Sequence, residues 1–130
     1  MTYEQLVEIA EKQRERAYSP YSEYTVGAAV LCADGEVFAG CNIENASFTP
    51  TCCAERVALF KAISEGKREF RAIAVSGGKR GEQGEDRCYP CGVCRQVMAE
   101  FCSAELDVVF YDGSVTALGE LLPNSFRLKK

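Results

Sequence analysis

The first block of apolar residues repeats with the period of a helix. Thr2 and Gln5 have the spacing of a capping box, which predicts a helix that begins directly after Thr2. Its apolar face is predicted to carry Tyr3, Leu6, Val7, Ala10 and Ala17. The run "YSPYS" at 18–22 breaks this pattern. The chain is therefore predicted to open with an amphipathic helix that packs one side against a core.

Two β-rich runs come next, "TVGAAVLC" at 25–32 and "EVFAGCNI" at 36–43. They flank Ala33, Asp34 and Gly35, and an Asp-Gly pair between two such runs is typical of a tight turn between antiparallel strands. The sequence therefore predicts a β-hairpin here.

The rest of the chain alternates helix and strand patterns. The predicted elements are a helix at 52–65 that ends at Gly66, a buried strand at 70–76, a mobile loop at 77–89, a helix at 91–102, a buried strand at 106–111, and a short run at 114–118 after a turn at Asp112 and Gly113. The helix at 52–65 is apolar nearly all round, so we expect it to contact the sheet on several sides. This alternation predicts an α/β fold, a three-layer α/β/α sandwich with a mixed sheet of about five strands.

Composition limits the domain count and the partners. A chain of 130 residues that is 47% hydrophobic and 26% charged suits one globular domain, residues 1–130. The net charge is −4 and no basic run is interleaved with aromatic residues, which argues against a nucleic-acid partner. The apolar runs are too short for a membrane span, which argues against a membrane partner.

The N-terminal sequence and the cysteines indicate the cellular compartment. The first residues, "MTYEQLVEIAEKQRER", carry charge throughout and lack the apolar centre of a secretory signal, so we expect a reducing cytoplasm. The eight cysteines are irregularly placed, which favours free thiols and metal or catalytic use over a disulfide framework.

Charged residues stand where the apolar helix at 52–65 begins. Burying Glu55 or Arg56 costs several kcal/mol unless each finds a partner. On the helix alone, an exposed first-turn acid favoured by the helix dipole also explains Glu55. The sequence therefore raises the question of a compensating site at this helix start.

Three thiols answer this question. Cys91 and Cys94 are spaced to face one point at a helix N-terminus, which suits either redox exchange or zinc. If Cys53 opens its own helix, two helix N-termini supply three thiolates and leave one tetrahedral position of Zn²⁺ for water, as in catalytic sites. A fourth sulfur from Cys52 or Cys88 would instead close the site and make the zinc structural.

Three motifs carry a family resemblance: "CAER" at 53–56, "PCGVCRQ" at 90–96 and "GCNIENASF" at 40–48. They resemble the zinc-dependent cytidine deaminases in their short-chain form, over nearly the whole chain. The resemblance implies one zinc per chain, bound by Cys53, Cys91 and Cys94. It also implies that Glu55 shuttles protons and that Arg56 donates hydrogen bonds to ligand sulfurs.

The resemblance also implies a set of substrate contacts. Asn42 and Glu44 match the positions that bind the ribose hydroxyls, and Ala54 lends backbone contacts to the base. Tyr24 and Phe126 fall where aromatic residues pack on the nucleoside. The family's usual residue at the position of Tyr24 is phenylalanine, and the loop at 77–89 is longer than in the short bacterial forms.

The activity that the resemblance implies is hydrolytic deamination of free cytidine and deoxycytidine, with release of ammonia, by a homotetramer whose subunits complete each other's sites. The alternatives are a related aminohydrolase acting on another cytosine-containing nucleoside, and a structural zinc or redox module. The segment "CNIEN" favours a nucleoside with two sugar hydroxyls, because Asn42 and Glu44 suit such a pair.

Overall fold

The computed structural model describes residues 1–128. In chain order its elements are α1 (Tyr3–Gln13), β1 (Tyr24–Cys32), β2 (Val37–Cys41), α2 (Ala54–Ser64), β3 (Phe70–Lys79), α3 (Gly92–Phe101), β4 (Asp107–Phe110), β5 (Val115–Ala117) and α4 (Leu118–Leu121). The capping box at Thr2 and Gln5 is present and starts α1 as predicted.

The five strands form one mixed sheet in the order β2-β1-β3-β4-β5. β1 is antiparallel to both β2 and β3, β3 is parallel to β4, and β4 is antiparallel to β5. The predicted hairpin is therefore confirmed, and β4 and β5 form a second one around the predicted turn at Asp112 and Gly113. Gly35 takes a φ of 95° in the first hairpin turn, a conformation that glycine adopts without the steric cost other residues meet.

Helices cover both faces of the sheet, which confirms the three-layer sandwich. On one face, α1 buries Leu6, Val7 and Ala10 against Ala29, Leu31, Ala72, Ala74 and Val109. On the other face, α2 and α3 enclose a larger core that includes Leu59, Met98, Val75, Val108 and Phe110. α1 lies directly on β1, because a Cβ at Gly27 would stand 1.9 Å from the carbonyl oxygen of Ala10.

The first helix is shorter than its apolar pattern predicts. α1 ends at Gln13 and a single 3₁₀ turn, Arg14–Arg16, follows it. Ala17 is buried but extended, so its assignment to the helix face is wrong. The buried guanidinium of Arg14 explains the change, since it donates to the carbonyl oxygens of Thr25 and Lys79 and draws the chain towards β1.

The predicted loop at 77–89 begins three residues late, at Arg80. β3 continues through Gly77 and Gly78 to Lys79, because β1 supplies hydrogen-bond partners as far as Tyr24. Glycine has a low strand propensity, which the pairing with β1 overrides here.

The second helix packs on the sheet through one face only. Ala58, Leu59 and Ala62 are buried, but Phe60 on the outer side is 43% exposed, so contact with the sheet on several sides is wrong. Among residues 1–128, no helix combines the length and apolar character that crossing a bilayer requires.

Candidate functional site

Three thiols converge where two helices begin. Cys53 is the N-cap of α2, Cys91 is the N-cap of α3, and Cys94 is the third residue of α3. The sulfurs of Cys53 and Cys91 are 3.8 Å apart, and all three sulfurs lie within 4.8 Å of one another. Both helix N-termini therefore direct their positive dipole ends at one cluster of thiols.

This cluster fits zinc. Tetrahedral coordination with Zn–S bonds of about 2.3 Å places two sulfurs about 3.8 Å apart, which agrees with the separation of Cys53 and Cys91. Among residues 1–128, neither Cys52 nor Cys88 belongs to this cluster of potential metal ligands. The described chain thus offers three sulfurs and leaves a fourth tetrahedral position for a water molecule.

Arg56 balances the charge of the thiols. Its Nη2 donates to the sulfur of Cys53 at 3.4 Å and to the carbonyl oxygen of Thr51 at 3.5 Å. Hydrogen bonds from Cys94 and Arg56 hold the pKa of the Cys53 thiol below its usual value. Burial opposes the charge of Arg56, but the hydrogen bonds and charges of Cys53 and Cys94 raise its pKa. Arg56 is therefore a fixed cation beside the sulfurs.

Glu55 is buried directly beside the thiol cluster. Only 5% of it is exposed, so the interpretation as a wet first-turn acid is wrong. Burial raises the pKa of its carboxyl group to about 7. A carboxyl group with a pKa near neutrality both accepts and returns protons under ordinary conditions, which is what general acid–base catalysis requires.

The segment that holds Asn42 and Glu44 pairs with the residues that lead into α2. Ile43 exchanges two backbone hydrogen bonds of 2.9 Å with Cys52, the residue before Cys53. The chain at Tyr18 pairs with the other side of Ile43. The Ile43–Cys52 pairing thus connects the segment of the predicted ribose-binding residues to the residue before Cys53.

The side chains of Asn42 and Glu44 also hold local structure. The amide of Asn42 accepts from the backbone of Val26 at 2.9 Å and donates to the carbonyl oxygen of Tyr24 at 3.0 Å. The carboxylate of Glu44 accepts from the backbone N–H groups of Tyr21 and Ser22 and from the Ser22 hydroxyl. Both residues therefore fix the turn that leads into β1.

The remaining predicted substrate contacts, Ala54, Tyr24 and Phe126, differ in how deeply they are buried. Ala54 is fully buried as the first residue of α2, and Tyr24 is partly buried at the start of β1. Phe126 is 67% exposed. Ala54 thus lies directly after Cys53 in the thiol cluster, whereas the ring of Phe126 is largely exposed at the surface of its own chain.

Two residues near the site, Arg95 and Glu85, were not predicted from the sequence. Arg95 donates to the carbonyl oxygens of Pro90 at 2.8 Å and Leu121 at 2.7 Å, and so fixes the metal-binding loop. Arg95 lies inside "PCGVCRQ", and its position next to Cys94 is the sequence feature that could have indicated this role. Glu85 contacts Tyr24, and no local pattern signals that contact.

The mixed sheet, the three convergent thiols and the buried carboxyl group define an α/β metal-binding domain with an open coordination position. The family model for the cytidine and deoxycytidylate deaminase zinc-binding region matches residues 1–111. The chain belongs to this family, and its cofactor is zinc.

Relatives and solved structures agree with this assignment. The chain is 48% identical over 130 residues to a cytidine deaminase from Halalkalibacterium halodurans, covering 97% of this chain and 95% of that protein. It is 45% identical over 130 residues to a cytidine deaminase from Sporosarcina psychrophila, covering 97% and 92%. The crystal structure of a cytidine deaminase from Burkholderia pseudomallei matches with a TM-score of 0.87 at 49% identity, covering 97% of this chain and all of that one.

Proposed function

We propose that this protein catalyses the zinc-dependent hydrolysis of free cytidine and deoxycytidine to uridine and deoxyuridine with release of ammonia. The observation that carries the proposal is the buried Glu55 beside the three thiols at the starts of α2 and α3. Full-length relatives named cytidine deaminase support the substrate class.

Cys53, Cys91 and Cys94 are the residues that hold the metal in this proposal. When bound, zinc acts as a Lewis acid that makes a water molecule nucleophilic near neutral pH. Arg56 keeps its positive charge beside the sulfurs, and the helix dipoles of α2 and α3 act in the same direction. The chain thereby limits the excess negative charge that three thiolates bring.

Glu55 moves the protons of the reaction. It takes a proton from the attacking water, whose oxygen forms a bond to C4 of the cytosine ring. It delivers this proton to N3. It then takes the second proton from the new hydroxyl group at C4 and gives it to the leaving amine, the C4–N bond breaks, ammonia departs, and C4 becomes a carbonyl carbon. One carboxyl group therefore serves first as base and then as acid, a role that a pKa of about 7 suits.

The other predicted residues orient the nucleoside. The Glu44 carboxylate has about four acceptor sites and uses three of them within the fold, so it retains capacity for a sugar hydroxyl. Asn42 lies two residues away on the same bridged segment and offers its amide to a second hydroxyl. Ala54 presents backbone groups beside the thiol cluster, and the ring of Tyr24 packs on the nucleoside.

The proposed working form is a cytoplasmic homotetramer of one-domain subunits, residues 1–130. Lys129 and Lys130 lie outside the described residues. Phe126 supports the assembly, because its own chain leaves the ring largely exposed. In a tetramer, this ring reaches the nucleoside of a neighbouring subunit. Neither nucleic acid nor a membrane is a partner in this proposal.

A substrate panel with ammonia release as the readout tests the function. The purified protein is given cytidine, deoxycytidine, cytidine monophosphate and a cytosine nucleoside with a modified sugar. We expect turnover of the first two, and none after zinc is removed with a chelator until zinc is restored. Turnover of the modified nucleoside alone would establish the related aminohydrolase instead, and no turnover of any of them would refute deamination.

A further inference from the structure

The segment 80–88, here called the 80–88 loop, is packed against the end of β3. A Cβ at Gly77 would stand 2.6 Å from the sulfur of Cys88, and a Cβ at Gly78 would stand 3.0 Å from the carbonyl oxygen of Gln83. Gly84 is buried, and a Cβ there would stand 2.5 Å from the hydroxyl oxygen of Ser76. A Cβ at any of these three positions would force a neighbouring atom to move. The composition predicts a mobile loop, whereas these three glycines allow the loop to pack closely on β3.

Anchors along the loop hold it in place. They join Arg80 to Glu23 at 2.7 Å, the backbone N–H of Gly84 to Glu11 at 3.4 Å, and Arg87 to Asp112 at 3.1 Å. The backbone N–H of Glu85 also donates to the carbonyl oxygen of Gly77 at 2.7 Å. These contacts fix the position of the Glu85 backbone, from which its side chain extends.

Glu85 accepts a hydrogen bond from the hydroxyl of Tyr24. The sulfur of Cys88 lies 4.0 Å from the same hydroxyl. Burial and the hydrogen bond to Glu85 raise the pKa of the Tyr24 phenol, so the phenol stays protonated and remains a donor. The ring of Tyr24 is therefore held at its outer end by the 80–88 loop and at its backbone by Asn42.

Cys88 connects this contact to the core beside the thiol cluster. Cys88 packs against the same core as Cys53. Burial raises the pKa of Cys88 to about 11, and the nearby charge of Glu55 adds to the effect. Cys88 thus lies between the Tyr24 hydroxyl and the core that Cys53 also contacts.

We propose that Glu85 is a positioning residue that, through the Tyr24 hydroxyl, orients the Tyr24 ring against the bound nucleoside. The inference rests on the proposed function, because it assigns a role within nucleoside binding. Fixing one side chain before the substrate arrives removes an ordering cost from binding. Glu85 therefore contributes to the binding of the nucleoside and leaves the chemical step to Glu55.

The test is a double-mutant cycle on cytidine turnover with Glu85→Gln, Tyr24→Phe and both together. We expect each single variant to raise KM about fivefold with kcat unchanged, the effect of freeing one side chain. The double variant is expected to match the single variants rather than multiply their effects, because both substitutions break the same hydrogen bond. The matched control is Glu82→Gln, since the Glu82 side chain is exposed and makes no hydrogen bond or ion pair within residues 1–128.

The outcomes separate this inference from the proposed function. A wild-type protein that releases no ammonia from cytidine overturns the deaminase function, and the positioning role with it. Wild-type turnover combined with an unchanged KM in Glu85→Gln, or with multiplicative effects in the double variant, overturns the positioning role alone. Variants that lose thermal stability and kcat together while KM stays constant show that the contact serves only the fold.

Discussion

The sulfurs of Cys53 and Cys91 lie 3.8 Å apart although 38 residues separate them in the sequence. Each is the N-cap of its own helix, and the two helices pack on the same face of the sheet. The separation equals that of two ligands on one tetrahedral zinc ion, so the fold preorganises the metal site.

We therefore expect one zinc per chain with three sulfur ligands and one oxygen ligand. X-ray absorption at the zinc edge on the purified protein measures this ligand set directly. Cys52→Ser and Cys88→Ser are expected to leave the spectrum unchanged, because neither residue belongs to the cluster. A fit that requires four sulfurs would contradict an open catalytic position.

Glu55→Gln is expected to keep zinc and fold but to lower kcat by about 10³-fold, because the amide cannot carry the proton. Zinc content and steady-state kinetics are measured on the same sample. Glu65→Gln at the exposed end of α2 is the matched control and should retain full turnover. Retention of most activity in Glu55→Gln would remove this residue from the mechanism.

Arg56→Gln is expected to accelerate zinc release to a chelator by about tenfold, because the variant lacks the cation that contacts the Cys53 sulfur. The variant should still contain zinc as purified, since no ligand is lost. Arg68→Gln provides the comparison, because Arg68 is exposed and donates only to backbone carbonyls far from the thiols. Equal release rates in both variants would reduce Arg56 to a surface cation.

Tyr3→Phe is expected to lower the free energy of unfolding by about 1 kcal/mol at neutral pH. The Tyr3 hydroxyl donates to Asp107 at 2.6 Å and joins α1 to β4, and this hydrogen bond raises the pKa of Tyr3 above its usual 10.0. The raised pKa means that the contribution is complete below pH 10 and is lost as the pH rises through the folded-state pKa. The difference between wild type and Tyr3→Phe in urea unfolding should therefore shrink in strong alkali. Tyr18→Phe is the control, because the Tyr18 hydroxyl makes no hydrogen bond within residues 1–128.

Phe126→Ala is expected to raise KM for cytidine about tenfold without lowering the melting temperature of the subunit fold, because the ring is exposed in its own chain. Sedimentation gives the oligomeric state of the same samples. Leu128→Ala, at a residue that is 78% exposed two positions later, is the control. A fully active monomer would contradict the shared site.

Local patterns are sufficient for features whose signal lies within a few residues. The capping box at Thr2 and the turn at Gly35 are both predicted and both present, because capping and turn formation depend on neighbouring residues. The residue types of "CAER" and "PCGVC" likewise predict thiols at two helix starts. The N-cap positions of Cys53 and Cys91 agree with that prediction.

Local patterns fail where a distant partner decides the structure. Gly77 and Gly78 have the composition of a loop, yet pairing with β1 makes them strand. Ala17 fits the apolar face of α1, yet the hydrogen bonds of Arg14 to β1 end the helix before it. In each case a contact made across the sheet outweighs the preference of the segment itself.

The sequence alone determined most of the helices and strands, the candidate ligands and the candidate acid, since each depends on residue type and short-range spacing. Only the tertiary structure decided that Cys53 meets Cys91, that Glu55 is buried beside them, and that Tyr24 meets Glu85. These relationships depend on how helices and a loop pack on a shared sheet. That packing depends on contacts between residues far apart in the sequence. The spacing of residues within one segment carries no information about such contacts.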